Sequence, residues 1–358
     1  MNPINPTHPH SGQAHSLLVK QVFNLFTTKL PAHGGQAHRL LVKQVFNLFT
    51  TKLPTYGGQA LIEGVMMRGS RSVAMSMRAP DGTIVTHHEE LGGIYKSALV
   101  KIPFLRGMVA LWDALGLGMR ALTRSANLQS GEDEKLEGAA LYLTLATSLA
   151  LSIGLFFLLP AGLGQLAVWL TTQTPVSLSP AATQWGELLI EGLTRLGLVI
   201  GYIWAVGKIP EIQRVFAYHG AEHKTINAFE AGAPLTPESV ARYPLEHPRC
   251  GTAFLLVLVV VSILVFSLIN PLQPAGFNPL LWRLLTRVLL LPVLVGIAYE
   301  YLRWTADHIE NPLVQILVKP NLALQRLTTR EPSLDMLEVS ITAFETMRRE
   351  ETRLLDVA

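Results

Sequence analysis

Two long stretches of the sequence carry no charged residue, and they constrain the fold more than any other feature. One lies between Glu137 and Glu187, and the other lies between Arg249 and Arg283. Uncharged apolar runs of this length exceed the core helices of soluble domains and are typical of helices that cross a bilayer. Only 15% of the chain is charged, against about 25% in soluble domains. The sequence therefore predicts an α-helical integral membrane protein.

Four transmembrane helices are expected, at residues 139–159, 188–206, 252–269 and 284–302. Pro160 is expected to end the first helix, because proline cannot donate the backbone hydrogen bond that continues a helix.

Charged residues interrupt the second and fourth predicted helices. Glu191 and Arg195 lie four residues apart, which permits an ion pair on one helix face. We also expect Glu187 and Glu191 to pair with Arg283 and Arg287 across two helices, since an isolated charge at bilayer depth is costly. We interpret these pairs as structural.

The distribution of basic residues predicts the orientation in the membrane. The linkers at 160–186 and 270–282 contain no Lys or Arg, whereas the segment at 207–250 contains five. The positive-inside rule then places both termini and the middle loop in the cytoplasm. We expect a multi-pass inner (cytoplasmic) membrane protein whose first partner is the lipid bilayer. The net charge is only +3 and no nucleic-acid module is present, so no nucleic-acid partner is expected.

The chain divides into four predicted parts. Residues 1–55 are an arm that contains a 23-residue tandem repeat starting at Gly12 and again at Gly35. This repeat is either a recent duplication or an interfacial amphipathic segment. Residues 56–137 form a small cytoplasmic N-terminal region, 138–304 the membrane domain, and 305–358 the cytoplasmic tail.

The two cytoplasmic parts contain recognisable elements. In 56–137 we expect a glycine-rich loop, then a β-hairpin with strands at 73–78 and 83–89 joined by an Asp81-Gly82 turn, and then a helix at 105–125. In the tail, apolar residues from Leu334 to Met347 recur every three or four positions, which predicts an amphipathic C-terminal helix. This helix is expected to dock on the hairpin, on a cytoplasmic protein partner or on a second copy of the chain.

The middle loop contains a cluster of candidate metal ligands. His219 and His223 are four residues apart and share one face if the segment is helical; Glu230 falls between them in angle. His247 and Cys250 form a second pair, and both pairs lie at the cytoplasmic ends of neighbouring predicted spans. Cys250 is the only cysteine, so it cannot form an internal disulfide.

These residue types indicate a divalent metal site, with Zn²⁺ as the expected ion, because His and Cys are the usual zinc ligands. The string His-x-x-Glu-His, at 219–223, matches a zinc hydrolase motif in which the Glu acts as a general base; this assigns catalysis to Glu222. Three interpretations stay open. The site is a closed structural zinc site with His219, His223, His247 and Cys250, or a catalytic site with one open position, or the histidines bind no metal.

Several long strings resemble the YqhQ-like family of bacterial multi-pass membrane proteins. These strings are GGQALIEGVMMRG, PFLRGMVAL, YHGAEHKTINAFEAG, HPRCGTAFLL and LTTREP, and the resemblance covers residues 56–344. The resemblance implies a metal-dependent membrane enzyme. It identifies no substrate.

Three functions are compatible with these features. The first is a metal-dependent hydrolase that acts at the cytoplasmic membrane surface on a lipid-linked or membrane-proximal substrate. The second is a non-enzymatic membrane scaffold with a structural metal. The third is a small transporter subunit that uses Glu191, Arg195, Arg287 and Glu300.

Overall fold

A computed structural model describes residues 56–92, 102–130, 138–173 and 179–356. The tandem repeat, and both interpretations of it, lie outside the described residues. The described chain is mainly helical, with one four-stranded sheet near its start. The strands are β1 (Gly57–Leu61), β2 (Gly64–Arg68), β3 (Ser72–Arg78) and β4 (Ile84–Glu90).

The helices follow the sheet in the chain. They are α1 (Leu105–Gln129), α2 (Gly138–Ile153), α3 (Leu159–Thr172), α4 (Pro180–Val206), α5 (Pro210–Glu230), α6 (Pro237–Val240), α7 (Gly251–Ile269), α8 (Pro279–Asp307), α9 (Pro312–Thr328) and α10 (Leu334–Asp356). A π-helical turn, Gly154–Leu158, joins α2 to α3 without a break, and a 3-10 turn, Asn270–Leu272, follows α7.

The sheet is an antiparallel meander in the order β1-β2-β3-β4. The predicted hairpin is confirmed as β3 and β4. Its turn has Gly82 at a φ of 87°, which glycine adopts readily. The Asp81 carboxylate accepts a hydrogen bond from the Thr83 backbone N–H at 2.9 Å.

The prediction of a loop for the glycine-rich segment is wrong, because this segment forms β1 and β2. Its glycines are needed for close packing within a sheet. A Cβ at Gly58 would lie 2.9 Å from Cδ of Glu222, and one at Gly64 would lie 2.6 Å from Cγ of Met77. Glycine marks places where a strand is approached closely as well as places where the chain turns.

The sheet is covered on both faces, which explains why β2 and β3 are buried almost throughout. Alternate side chains of a strand point to opposite faces. Val65 and Met67 pack with the apolar face of α10, whereas Met66 packs with Leu117 and Ala121 of α1. The amphipathic helix predicted in the tail is thus confirmed, and it packs on the sheet.

Four helices of the described chain are long and apolar enough to cross a membrane. They are Gly138–Thr172, Ala182–Val206, Gly251–Leu272 and Leu281–Asp307. They correspond to the four predicted helices. The predicted end of the first helix at Pro160 is wrong, because α3 contains Pro160 in its first turn and the helix continues to Thr172.

The predicted charge pairs within these helices are present. Glu191 pairs with Arg195 at 2.7 Å on α4 and also with Arg287 of α8. Glu187 pairs with Arg283 one turn nearer the start of the same two helices. Glu191, Arg195 and Arg287 are each at least 95% buried. Their mutual pairing supports the structural interpretation.

Candidate metal site

Helix α5 places His219 and His223 on one face, as their spacing predicts. Their ring centroids are 4.4 Å apart. The helix is held on its other sides by buried Tyr218, Ala221 and Ile226, which contact the sheet and α10. The two imidazoles therefore stand on a fixed support.

A main-chain carbonyl orients each of the two rings. Nδ1 of His219 lies 2.9 Å from the oxygen of Thr328, and Nδ1 of His223 lies 2.5 Å from the oxygen of Leu245. A carbonyl can only accept, so each Nδ1 carries a proton, and in the neutral ring each Nε2 then presents a lone pair. This is the tautomer in which Nε2 binds metal ions.

The lone pair of His223 points into the protein interior. The residue is fully buried, and among the described residues Nε2 has no hydrogen-bond partner. Buried polar atoms are normally satisfied, so an exception calls for a physical explanation. A bound cation would provide one.

Cys250 supplies a third candidate ligand. It is the N-cap residue of α7, it is 6% exposed, and its thiol forms no disulfide. Its Sγ lies 3.2 Å from Nε2 of His219. One ligand atom from each of His219, His223 and Cys250 lies within 4.8 Å of the other two. Ligands held about 2.0–2.3 Å from a tetrahedral zinc ion lie roughly 3.3–3.8 Å from one another, so the three ligand atoms would have to move closer by up to about 1 Å to share one ion.

A glycine brings the distant carbonyl of Thr328 to His219. A Cβ at Gly220 would clash with the carbonyl oxygen of Arg330, and Arg330 N donates to Phe216 O at 2.9 Å. The connection between α9 and α10 can therefore lie directly on α5. A helical glycine costs about 1 kcal/mol relative to alanine, and this cost was the available sequence signal for a close contact here.

His247 lies beside the trio of His219, His223 and Cys250. Its ring centroid is 5.6 Å from that of His223, and its backbone is fixed by Gln325, which accepts from His247 N at 3.0 Å and donates to His247 O at 2.8 Å. Burial, together with the nearby charge of Arg249, lowers the pKa of His247 well below its usual value. Arg249 Nη2 lies 3.4 Å from His247 Nε2. If His247 were a fourth ligand through Nε2, that nitrogen would have to give up its contact with Arg249 to bind the metal.

The two predicted carboxylates take different positions. Glu222 is buried, and the Gly58 N–H donates to its carboxyl group. Burial raises the pKa of Glu222 to about 7, although nearby His219 and the Gly58 hydrogen bond act in the opposite direction. Glu230 is the last residue of α5 and is not a member of the trio. The catalytic role of Glu222 and the metal role of Glu230 stay predictions.

Sequence reasoning missed the groups that orient the ligands. The carbonyls of Thr328 and Leu245, and the amide of Gln325, come from segments far from α5 in the chain. Every residue has a main-chain carbonyl, so the sequence does not indicate which carbonyls orient the ligands. Only the folded structure identifies them.

These features define a mainly helical class of protein with four helices of membrane-spanning length and a sheet covered by α1 and α10. The chain belongs to the family described as "Protein of unknown function (DUF1385)", whose model matches residues 102–350. It is also 37% identical over 310 residues to "Uncharacterized protein YqhQ" of Bacillus subtilis (strain 168), over 81% of this chain and 91% of that relative. The predicted family resemblance is thus confirmed. No solved structure matches the chain.

Proposed function

We propose that this protein is a metal-dependent membrane enzyme that binds one divalent ion through His219, His223 and Cys250. The observation that carries the proposal is the orientation of the two imidazoles. Both Nδ1 atoms face main-chain carbonyls, so both Nε2 lone pairs are left for a ligand near Cys250 Sγ. Two imidazole nitrogens and one thiolate are a donor set that suits zinc.

The proposed reaction is hydrolysis of a lipid-linked or membrane-proximal substrate. Three protein ligands leave one coordination position open, which is the usual arrangement of catalytic zinc sites. A divalent ion there would supply Lewis-acid chemistry. Glu222 would act as the general base that takes a proton from the attacking water. Its place next to His223 on α5 supports this role.

We place the site at the cytoplasmic surface of the inner membrane. The trio lies where α5 follows the apolar helix α4 and where α7 begins, and the segment at 207–250 contains five Lys and Arg residues whereas the linkers at 160–186 and 270–282 contain none. Reporter fusions after Leu355 and within the 270–278 connection would test the sidedness. Cytoplasmic signal from the first and periplasmic signal from the second are expected.

A structural metal site is the second candidate function. His223 is fully buried and Cys250 nearly so, which favours a closed site that joins α5 to α7 and leaves no access for substrate. His247 would then be the fourth ligand, and the protein would be a membrane scaffold.

Elemental analysis of the purified protein tests metal binding. We expect about one zinc ion per chain, and we expect His223→Ala and Cys250→Ser to lose it, because each removes one of few ligands. His308→Ala is the matched control, since His308 is exposed and outside the trio. Equal zinc content in all four proteins would disprove the assigned site.

Glu222→Gln separates the enzyme from the scaffold. The variant should keep its zinc in either case, because Glu222 is not a ligand in this proposal. An enzyme would lose turnover in a screen of lipid-linked ester, amide and phosphodiester substrates, whereas a scaffold would show no turnover in the wild type either. A variant with full turnover would refute the general-base assignment.

A further inference from the structure

The first turns of α1 pack tightly along the second half of α8. A Cβ at Gly107 would lie 2.8 Å from Cβ of Tyr299, and one at Gly296 would lie 3.1 Å from Cβ of Phe104. Small residues at both contact points let two backbones approach closely, as in helix pairs within membranes. Both contacts advance by three residues in the same direction, so the two helices run parallel here.

The polar groups at this contact are paired with one another. Glu300 of α8 accepts hydrogen bonds from Phe104 N at 3.0 Å and from Arg106 Nε at 2.7 Å, and Arg106 Nη2 also contacts it. Phe104, the N-cap residue of α1, has a φ of 66°, which is rare for a bulky residue. The helix start is therefore held in place with its charge neutralised, which is what an apolar surrounding requires.

The contact lies well inside the apolar part of α8. Gly296 precedes the end of α8 at Asp307 by eleven residues, which corresponds to about 16 Å along the helix axis. The hydrocarbon core of a bilayer is about 30 Å thick. If Asp307 marks the membrane surface, α1 begins near the middle of the bilayer.

One face of α1 is apolar and exposed over the same depth. Leu105, Met108, Trp112 and Leu115 recur at helical spacing, and Trp112 is 72% exposed. Within the described chain no element covers this face. Val288, Leu289 and Val293 of the neighbouring α8 are also exposed, in the part of that helix that precedes Gly296. An apolar solvent would cover the exposed faces of both helices.

Two tryptophans give an independent measure of the level of the membrane surface. Trp112 lies eight residues beyond Phe104, and Trp304 lies eight residues beyond Gly296, so both stand about 12 Å above the contact. Both are exposed. Tryptophan is enriched where hydrocarbon meets water, and two exposed tryptophans at one level on parallel helices fit that boundary.

We propose that residues 105–115 of α1 are a half-spanning helix that lies in the bilayer beside α8 and contacts lipid hydrocarbon. The helix starts near mid-bilayer and emerges near Trp112, and its second half carries the sheet. The proposal does not depend on metal binding or catalysis. The main competing occupant of the apolar face is a second copy of this chain.

Spin labels test the proposal directly in proteoliposomes. Nitroxides would be attached to Leu105→Cys, Met108→Cys and Leu115→Cys, with Leu355→Cys of α10 as the matched control, because Leu355 is 54% exposed. The wild type, whose Cys250 is buried, gives the background labelling. Each labelled protein must match the wild type in thermal unfolding.

We expect the labels at 105 and 108 to collide frequently with oxygen, which dissolves in lipid, and rarely with a water-soluble nickel chelate, whereas the label at 115, at the level of Asp307, should mark the membrane surface. The derived depth should decrease from residue 105 to residue 115, and the control should show the reverse preference. Nickel access at 105 and 108 equal to the control would overturn the proposal, because α1 would then lie in water. Low access to both reagents would also overturn it, because protein would then cover the face.

A second measurement requires only one substitution in the chain. Brominated lipids quench tryptophans that touch the acyl region, and Trp112→Phe removes a single such residue. The fluorescence that Trp112 contributes is the difference between the wild type and the variant, and we expect lipids brominated near the headgroup to reduce this difference. A difference that brominated lipids leave unchanged would contradict the assigned position of Trp112.

Discussion

Arg195 of α4 donates its Nε–H to the main-chain carbonyl oxygen of Phe156, at a distance of 3.1 Å. Phe156 precedes Pro160 by four residues, and proline has no N–H to give to that carbonyl. The guanidinium therefore supplies a donor in place of the N–H that Pro160 lacks. This contact, together with the π-helical turn Gly154–Leu158, explains how an apolar helix continues past a proline.

Arg195→Met should lower the free energy of unfolding by about 1–3 kcal/mol, because the Phe156 carbonyl and Glu191 lose a buried donor while Arg287 still neutralises Glu191. Unfolding in lipid bicelles would measure the loss. Repeating the substitution in a Pro160→Ala background, where the helix regains an N–H, should reduce the loss by about 1 kcal/mol. An identical loss in both backgrounds would show that the Phe156 contact contributes nothing.

Gly220→Ala should weaken zinc binding about 10- to 100-fold, the usual effect of disturbing groups that orient metal ligands. The added Cβ would clash with the carbonyl of Arg330 and displace Thr328 from His219. Competition with a chelator gives the affinity. Gly201→Ala is the control, since a Cβ there meets nothing within 4 Å. Unchanged affinity in the Gly220 variant would argue against the orienting role of Thr328.

Gly58→Ala should destabilise the protein by about 1–3 kcal/mol, the range for adding atoms to a full site. Its Cβ would lie 2.5 Å from the carbonyl oxygen of Met66 and 2.9 Å from Cδ of Glu222. Neighbouring Gly57 has nothing within 4 Å of the same added atom, so Gly57→Ala should leave the thermal midpoint nearly unchanged. Equal midpoints for both variants would mean that β1 does not confine Glu222.

Glu63 predicts a pH dependence of stability. The hydrogen bond from Arg214, at 2.5 Å, lowers the pKa of Glu63 below its ordinary value of 4.5. A lowered pKa in the folded state stabilises the fold above pH 4.5, and this contribution is lost as the pH falls through the lowered pKa.

Comparison with Glu63→Gln isolates this effect. The wild type should be more stable by up to about 1 kcal/mol at neutral pH, because half-exposed pairs are screened by solvent. The difference should shrink on acidification. A difference in unfolding free energy that stays constant from neutral to acidic pH would show that the carboxylate is not responsible.

The sequence predicted the four long apolar helices and their pairing because both follow from strong local rules. Uncharged runs identify the helices, and the cost of isolated charge matches Glu187 with Arg283 and Glu191 with Arg287. The i and i+4 spacing likewise put His219 and His223 on one face. In each case one local rule is enough for the prediction: the absence of charge, the cost of an isolated charge, or the helical spacing.

The predictions from sequence were wrong where a glycine or a proline is compatible with two different local structures. The glycines of β1 and β2 were interpreted as turn residues, yet Gly58 and Gly64 are required by close packing. Pro160 was interpreted as a helix end, yet Arg195, which is distant in sequence, compensates for it. Tertiary contacts decided both cases, and no local pattern contains them.

The sheet has a consequence for biosynthesis. Its strands lie within Gly57–Glu90, but the apolar face that covers Val65 and Met67 belongs to Leu334–Asp356, the last described helix. A ribosome must therefore make all four apolar helices before this half of the sheet core can close. Until then the nascent chain exposes methionine and valine side chains to chaperones and proteases. Premature termination before Leu334 would leave that core permanently open, even with all four long apolar helices already synthesised.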